Sequence, residues 1–201
     1  MSRRIGSRNK LARQVGEDLG LKSNPLKVAR RLTIRPGQHG TKGRRKLSDF
    51  GIQLKEKQKL KYIYGLTEKQ LRRQYDEANR SKLATGSQLL SLLERRLDNV
   101  VYRLGWAPTR ASGRQLVNHG HVQLNGKKMD IPSHQINVND VIILTSKATK
   151  IPVVQTGLEG STTPPTWLEK KQAAAKVLRF PEREDITEVI TEQMVIEYYS
   201  R

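Results

Sequence analysis

Residues 92–126 read LLERRLDNVVYRLGWAPTRASGRQLVNHGHVQLNG, and this run leaves the chain few local folds to choose from. Leu89, Leu93, Leu97, Val100 and Leu104 form one apolar stripe, which predicts a single helix that begins near Ser87, with Ser87 or Ser91 as N-cap, and stops at Gly105. Pro108 followed by Thr109 predicts a stop and a new N-cap, then a short helix from Arg110 to His119 closed by Gly120. Arg110, Arg114 and Asn118 are spaced i, i+4, i+8 and so share a face, whereas Leu116 and Val117 point toward a core. One face serves packing and the other serves phosphate.

The next residues change period. His121-Val122-Gln123-Leu124 alternates polar and apolar, and Asn125-Gly126 supplies the two positive-φ positions that a type I′ hairpin turn requires. Lys127 and Lys128 leave that turn directly. Asp140 to Thr145 reads as a mostly buried strand preceded by the turn Asn137-Val138-Asn139-Asp140. Strands after helices predict an α+β domain with a small antiparallel sheet, able to lay a helix and a β-loop against folded RNA.

Charge supports a polyanionic partner. The 201 residues carry 38 Lys or Arg against 19 Asp or Glu, a net charge of +19. Residues 1–46 hold fourteen basic residues against Glu17 and Asp18, while residues 158–201 hold six basic against eight acidic. The two ends therefore have different partners. In residues 1–46 the apolar positions show no sustained period and Gly and Pro recur, which predicts a basic extension that packs poorly alone and is ordered by its partner. A solvated tail is the bland alternative; the density of Arg30-Arg31, Arg35 and Lys42 to Lys46 favours phosphate contact. Apolar residues at 35% suffice for two modest cores. The chain has no cysteine, hence no disulfide and no thiolate metal site, and no apolar run approaches a membrane span or a signal peptide, so a cytoplasmic setting is expected.

Between these regions the pattern is helical. LKEKQKLKYIYG ends in Gly65, a suitable C′ residue, and Thr67 to Gln70 has the spacing of a capping box. Leu71, Tyr75 and Ala78 then fall on one face, with Arg72, Arg73 and Arg80 elsewhere, until Lys82 to Gly86 breaks the run.

PGQHG at 36–40, LSDFGIQLKEKQKLKYIYG at 47–65, LLERRLDNVVYRLG at 92–105, TRA at 109–111, RQLVNHGHVQLNG at 114–126, PTW at 165–167 and the ending IEYYS at 196–200 occur in the order found in one family. On these segments the chain resembles the ribosomal protein S-four family of the bacterial small subunit, over most of its length. The resemblance implies an α+β protein in three parts: a basic extension (1–46), a helical domain (47–90, completed by a C-terminal 181–201), and an inserted alpha-L RNA-binding domain (91–180) with a small antiparallel sheet. It implies a primary binder of small-subunit ribosomal RNA that docks on a multi-helix junction and nucleates assembly of the subunit body. It further implies a border on the channel by which messenger RNA enters, and contacts with ribosomal proteins S-five and S-three that affect decoding accuracy. No homo-oligomer, cofactor or metal is implied for this chain.

The candidate RNA-binding residues follow from the resemblance and the charge pattern together. In the helix-and-loop unit they are Arg96, Arg103, Thr109, Arg110, Arg114, Gln115, Asn118, His119, His121, Asn125, Lys127 and Lys128. In the extension they are Arg3, Arg4, Arg8, Lys10, Arg13, Lys22, Arg30, Arg31, Arg35, Lys42, Arg44, Arg45 and Lys46, the last four placed by the resemblance near messenger RNA; Arg72 and Arg73 join them from the helical domain. Ser48, Asp49, Phe50 and Gln53, with Glu197, Tyr198 and Tyr199, are the candidate protein interface. Some family members hold an N-terminal zinc with four cysteines; without cysteine, this chain departs from them. It departs again at Gly113, where a better helix former is usual and where interior glycine costs about 0.5 to 1 kcal/mol.

Other chemistry is less well supported. His119-Gly120-His121 superficially matches a synthetase HIGH motif, but no preceding nucleotide-binding strand or lysine-rich partner loop accompanies it. Two histidines without a carboxylate cluster are a weak metal signal. Glu94 and Asp98, spaced i, i+4 beside Arg95 and Arg96, look like an acid/base pair only in isolation; intrahelical or interdomain ion pairs explain them more simply. Tyr102 and Trp106 end an apolar stripe and are expected to pack rather than stack on bases. Pseudouridine synthases and tyrosyl-tRNA synthetases carry a similar unit, yet they need a sizeable catalytic domain with no counterpart here, and small stress-type RNA chaperones lack the LSDFG region.

Overall fold

The computed structural model describes residues 6–22, 24–42, 46–160 and 163–201. Its helices are α1 (Arg8–Val15), α2 (Pro25–Ala29), α3 (Asp49–Ile63), α4 (Glu68–Asn79), α5 (Thr85–Glu94), α6 (Leu97–Arg103), α7 (Arg110–Asn118), α8 (Pro152–Glu159) and α9 (Glu192–Tyr199). Its strands are β1 (Val122–Leu124), β2 (Lys127–Lys128), β3 (Val141–Leu144), β4 (Leu168–Lys171) and β5 (Ala174–Val177), so the fold is α+β. The chain forms two units, residues 1–86 with 188–201, and residues 87–187.

In the first unit, α3 starts where Ser48 Oγ accepts the Gly51 amide at 3.3 Å and ends before Gly65, whose φ of +63° makes it the expected C′ glycine. The capping box of α4 is present, with the Thr67 amide donating to Gln70 Oε1 at 3.0 Å. Leu71, Tyr75 and Ala78 are buried, as their spacing predicted. Helix α9 packs against α3, burying Val195, and the Tyr75 and Tyr199 rings lie 4.7 Å apart.

A polar knot fixes the same junction. Glu68 accepts Lys57 Nζ at 2.8 Å, Lys61 Nζ at 2.7 Å and the Tyr199 hydroxyl at 2.8 Å. Burial alone would raise the Glu68 carboxyl, but the hydrogen bonds from Lys57, Lys61 and Tyr199 hold it down at about 2. Burial and Glu68 together push the Tyr199 phenol above its ordinary range.

The extension differs from its sequence reading. Helix α1 buries Leu11, Ala12 and Val15 and packs on α3, so a short amphipathic helix supplies order that the Gly and Pro content concealed. Arg13 donates to the Ile34 and Arg35 carbonyls at 2.7 and 2.9 Å, holding the chain ahead of PGQHG.

In the second unit, the predicted single helix is instead two. The chain leaves α5 at Arg95, and Arg96 adopts an extended conformation that bridges to Gln135. The Ile136 amide donates to the Arg95 carbonyl at 3.0 Å and the Leu97 amide to the His134 carbonyl at 2.9 Å, replacing the helical bonds lost at the break. The apolar stripe survives because α6 resumes with Leu97, Val100 and Leu104 all fully buried. Likewise α5 starts at Thr85, inside the segment expected to be a break.

The sheet has strand order β2-β1-β3-β5-β4 and every pair is antiparallel. Val122, Leu124, Ile142, Leu144, Ala175 and Val177 join Val100, Val101, Leu116 and Val117 in one core with Trp106 and Trp167. Trp106 packs, as expected, and its Nε1 donates to the Gln172 carbonyl at 3.1 Å. Asn125 and Gly126 have φ of +51° and +78°, the type I′ pair that the sequence predicted.

Candidate nucleic-acid interface

The candidate site is built on α5, α6, α7 and the β1–β2 turn. Thr109 N-caps α7 through Oγ1, which accepts the Ser112 amide at 3.2 Å, and Gly120 closes that helix with φ of +69°. Thr109 itself is buried. At Gly113 an added Cβ would lie 2.6 Å from the Asp98 carbonyl oxygen, so this glycine lets α7 approach α6. Its helix-propensity cost is offset by a close approach that alanine would obstruct.

That approach adds Arg110 and Arg114 of α7 to Arg96 and Arg103, so that four arginines surround two carboxylates. Arg96 forks onto Asp98 at 3.1 and 2.7 Å, and Arg114 reaches the same carboxylate at 3.5 Å. Arg103 forks onto Glu94 with both bonds at 2.8 Å, and Arg110 lies 3.9 Å from Glu94. Asn99 bridges the two: its Nδ2 donates to Glu94 Oε2 at 2.8 Å while its Oδ1 accepts Arg110 Nε at 2.7 Å. The Arg110 guanidinium sits 4.6 Å above the Tyr102 ring. Glu94 is only 1% exposed, so each pair acts in a medium where attraction is stronger than in water.

This geometry revises the expected arginine face. Arg110 and Arg114 turn toward the carboxylates of α5 and α6, with about a tenth of each side chain open (10% and 11%), and Arg96 is buried at 3%. The outward face of α7 is made by Gln115, Asn118 and His119, all exposed. His121 is half-buried beside His119, their rings 6.1 Å apart. Glu94 and Asp98 are ion-pair partners, as the sequence reading preferred.

Lys127 and Lys128 are exposed at the hairpin, which gives the loop two accessible cations. Asn125 is exposed but engaged, since its Nδ2 donates to Asp140 Oδ1 at 2.8 Å and its Oδ1 accepts the Val141 amide at 2.9 Å. Sequence reasoning missed Asn99 and Tyr102 as parts of the lattice, because the contacts that define them cross from α6 to α5 and α7. Among the described residues no group of three or more His, Asp or Glu could hold a metal ion, and no helix is long and apolar enough to cross a membrane.

In the first unit, Arg8, Lys10, Lys22, Arg30, Arg31, Arg35, Lys42, Lys46, Arg72 and Arg73 are exposed, and Arg13 is half-buried on its carbonyl partners. Arg3, Arg4, Arg44 and Arg45 lie outside the described residues. The two candidate protein-interface segments meet one another: Gln53 Nε2 donates to Glu197 Oε2 at 2.8 Å, and the Phe50 and Tyr198 rings are 5.7 Å apart. Gln53 is buried at this contact and Tyr199 is buried beside Tyr75, while Ser48, Asp49 and Phe50 stay exposed.

The family described as ribosomal protein S4/S9 N-terminal domain matches residues 3–94, and the S4 domain matches residues 95–142. Small ribosomal subunit protein uS4 of Brevibacillus brevis is 46% identical over 203 residues, covering all of both chains. The chain belongs to the uS4 family. The uS4 proteins of Mycoplasma mobile, at 44% over 201 residues, and Methylobacillus flagellatus, at 50% over 204 residues, agree, with coverage of 100% of this chain and 100% and 98% of theirs. As a uS4 protein this chain is a structural component of the small ribosomal subunit and not an enzyme. The boundary between the two uS4 matches, at 94/95, falls at the break between α5 and α6.

Proposed function

We propose that this chain is a primary binder of small-subunit ribosomal RNA that nucleates assembly of the subunit body. The observation that carries this reading is the exposed Lys127-Lys128 hairpin together with the exposed outward face of α7, on a chain of net charge +19. The two lysines present point charges to phosphate. A junction is then read through phosphate and 2′-hydroxyl positions, since paired RNA hides its base edges. Gln115, Asn118 and His119 supply the adjoining polar contacts, and the extension's exposed arginines and lysines supply further phosphate contacts.

The finer roles extend the same reading. Lys42 and Lys46 contact messenger RNA at its point of entry, and Phe50 with the α3–α9 edge meets ribosomal proteins S-five and S-three to influence decoding accuracy. Support for the latter is the exposed Phe50, 46% open, stacked on Tyr198 at one edge. The test is binding of the full chain to purified small-subunit ribosomal RNA over a range of salt. Tight, salt-dependent binding that outcompetes bulk RNA is expected; equal affinity for any RNA would overturn the primary-binder reading.

A further inference from the structure

Residues 36–40, PGQHG, turn back on themselves beside α1 and α3 and wall off a pocket of about 730 Å³. The Gly40 amide donates to the Gly37 carbonyl at 3.2 Å, and a Cβ at Gly40 would collide with the Arg35 carbonyl, so glycine permits this tight return. Arg13 of α1 anchors the approach through its bonds to the Ile34 and Arg35 carbonyls. The facing wall is α3, with Leu54, Gln58 and Tyr62, and α1 adds Gln14 and Val15. We infer that this pocket receives one unstacked nucleobase of the bound RNA; the inference rests on the RNA-binding reading above.

The volume falls in the range of roughly 300 to 1,000 Å³ in which small ligands are held. On a chain of net charge +19, the polar groups gathered here are mostly neutral: Gln14, Gln38, Gln58 and His39. Amides offer a donor and an acceptor side by side, the pairing that a base edge presents. Gln58 Oε1 is buried without a hydrogen-bond partner among the described residues, so nothing pins that amide, and rotation about its last bond presents either edge. Turned to a base N–H, the oxygen gains the donor it lacks in the free protein. Gln14 Oε1 accepts the Tyr62 hydroxyl at 3.2 Å, which leaves the Gln14 amide nitrogen as a donor. Val15, Pro36 and Leu54 supply apolar surface for the face of the ring.

The neighbouring charge suits the phosphate that comes with the base. Arg35 lines the pocket and is exposed, and no ion pair or hydrogen bond among the described residues engages its guanidinium. Lys55, in the same wall, is 3.6 Å from Glu17 and has no part in this contact. A free mononucleotide shares this chemistry. The exposed rim of Gln14, Gln38 and His39 leaves room for a polymer to enter and leave, and the net charge favours the polymer. A base leaves its stack at least cost where it is already unpaired, as at a helix junction.

The experiment binds the full chain to purified small-subunit ribosomal RNA and maps every base, with dimethyl sulfate for adenine and cytosine and a carbodiimide for guanine and uracil. The proteins are the parent, Gln58→Leu, Leu54→Trp and Arg35→Gln, each with its thermal unfolding curve. One unpaired nucleotide protected by the parent should regain reactivity when Gln58→Leu or Leu54→Trp is bound at saturation, with the rest of the footprint unchanged. Affinity should fall about threefold to tenfold in these two, with the salt slope unaltered because no charge changes, whereas Arg35→Gln should flatten the slope by up to about one unit.

A footprint identical to the parent's with folded Gln58→Leu and Leu54→Trp overturns the inference and leaves the RNA-binding reading intact; a neighbouring protein in the pocket would give that result. Adenosine or cytidine monophosphate that binds the pocket and is not displaced by the RNA also overturns it. A parent with no preference for this RNA fails the RNA-binding reading, and the inference falls with it. Should both α3 variants fail to fold, Gln38→Ala with His39→Ala on the exposed loop decides: the same nucleotide should regain reactivity, and a footprint without any change overturns the inference.

Discussion

The Asn125 side chain and Asp140 are locked together, Nδ2 donating to Oδ1 at 2.8 Å, while Asn125 Oδ1 takes the Val141 amide at 2.9 Å. The turn that carries Lys127 and Lys128 is therefore tied to the start of β3. Asn125→Gly preserves the positive φ of +51° but removes both bonds. A loss of about 1 kcal/mol in urea unfolding is expected, with faster hydrogen exchange at the Lys127 amide. Unchanged exchange would show that the backbone turn needs no such tie.

Gly113 offers a prediction whose sign separates propensity from packing. Alanine is the better helix former, but its Cβ would lie 2.6 Å from the Asp98 carbonyl. Gly113→Ala should therefore destabilise the protein, by about 1 to 3 kcal/mol. A raised melting temperature would mean that α7 shifts away from α6 at no cost.

Asp98 holds Arg96 at 2.7 Å and Arg114 at 3.5 Å with all three side chains largely buried. Asp98→Ala removes the buried carboxylate that both guanidinium groups share and should cost about 3 to 5 kcal/mol. Chemical denaturation reads this directly, and a loss below about 1 kcal/mol would indicate that water enters to replace the carboxylate.

Glu68 gives the protein an acid-sensitive junction. Its folded value of about 2 lies below the ordinary 4.5, so its contribution to stability is present above about 4.5 and is lost as pH falls toward 2. Glu68→Gln should flatten the stability profile between those limits, and the variant and parent should converge near pH 2. Parallel curves across the window would dismiss Glu68 as its source. Tyr199 has the opposite sign, its raised phenol favouring the fold until alkaline pH ionises it.

Lys127→Ala with Lys128→Ala removes two exposed charges and no structural bond. RNA affinity should fall and the salt slope should flatten by about 1.5 to 2, with unfolding shifted by less than about 0.5 kcal/mol. An unaltered slope would remove the hairpin loop from the RNA face.

What the sequence disclosed was governed by how local the determining interactions are. The Thr67 to Gln70 capping box, the Gly65 stop and the Asn125-Gly126 turn are set by neighbours within a few residues, and each was legible. The division of one predicted helix into α5 and α6 was not, because the strand-like bridge from Arg96 to Gln135 joins residues that the helical period cannot connect. The arginine face was half legible. Spacing placed Arg110 and Arg114 together, but only folding showed Glu94 and Asp98 opposite them, turning both guanidinium groups inward. In the extension, three buried apolar residues on one helix outweighed the glycine and proline signals.

The pairing of α3 with α9 also bears on the order in which the protein is made. Residues 87–187 form a contiguous unit, whereas the other unit joins residues 1–86 to residues 188–201. Translation therefore delivers every residue of the inserted unit before it delivers the helix that completes the α3 surface. Until then Tyr75 lacks the ring of Tyr199, and Glu68 lacks its hydroxyl. The nascent chain passes through a stage in which its inserted half can be native while its earlier-made half is waiting.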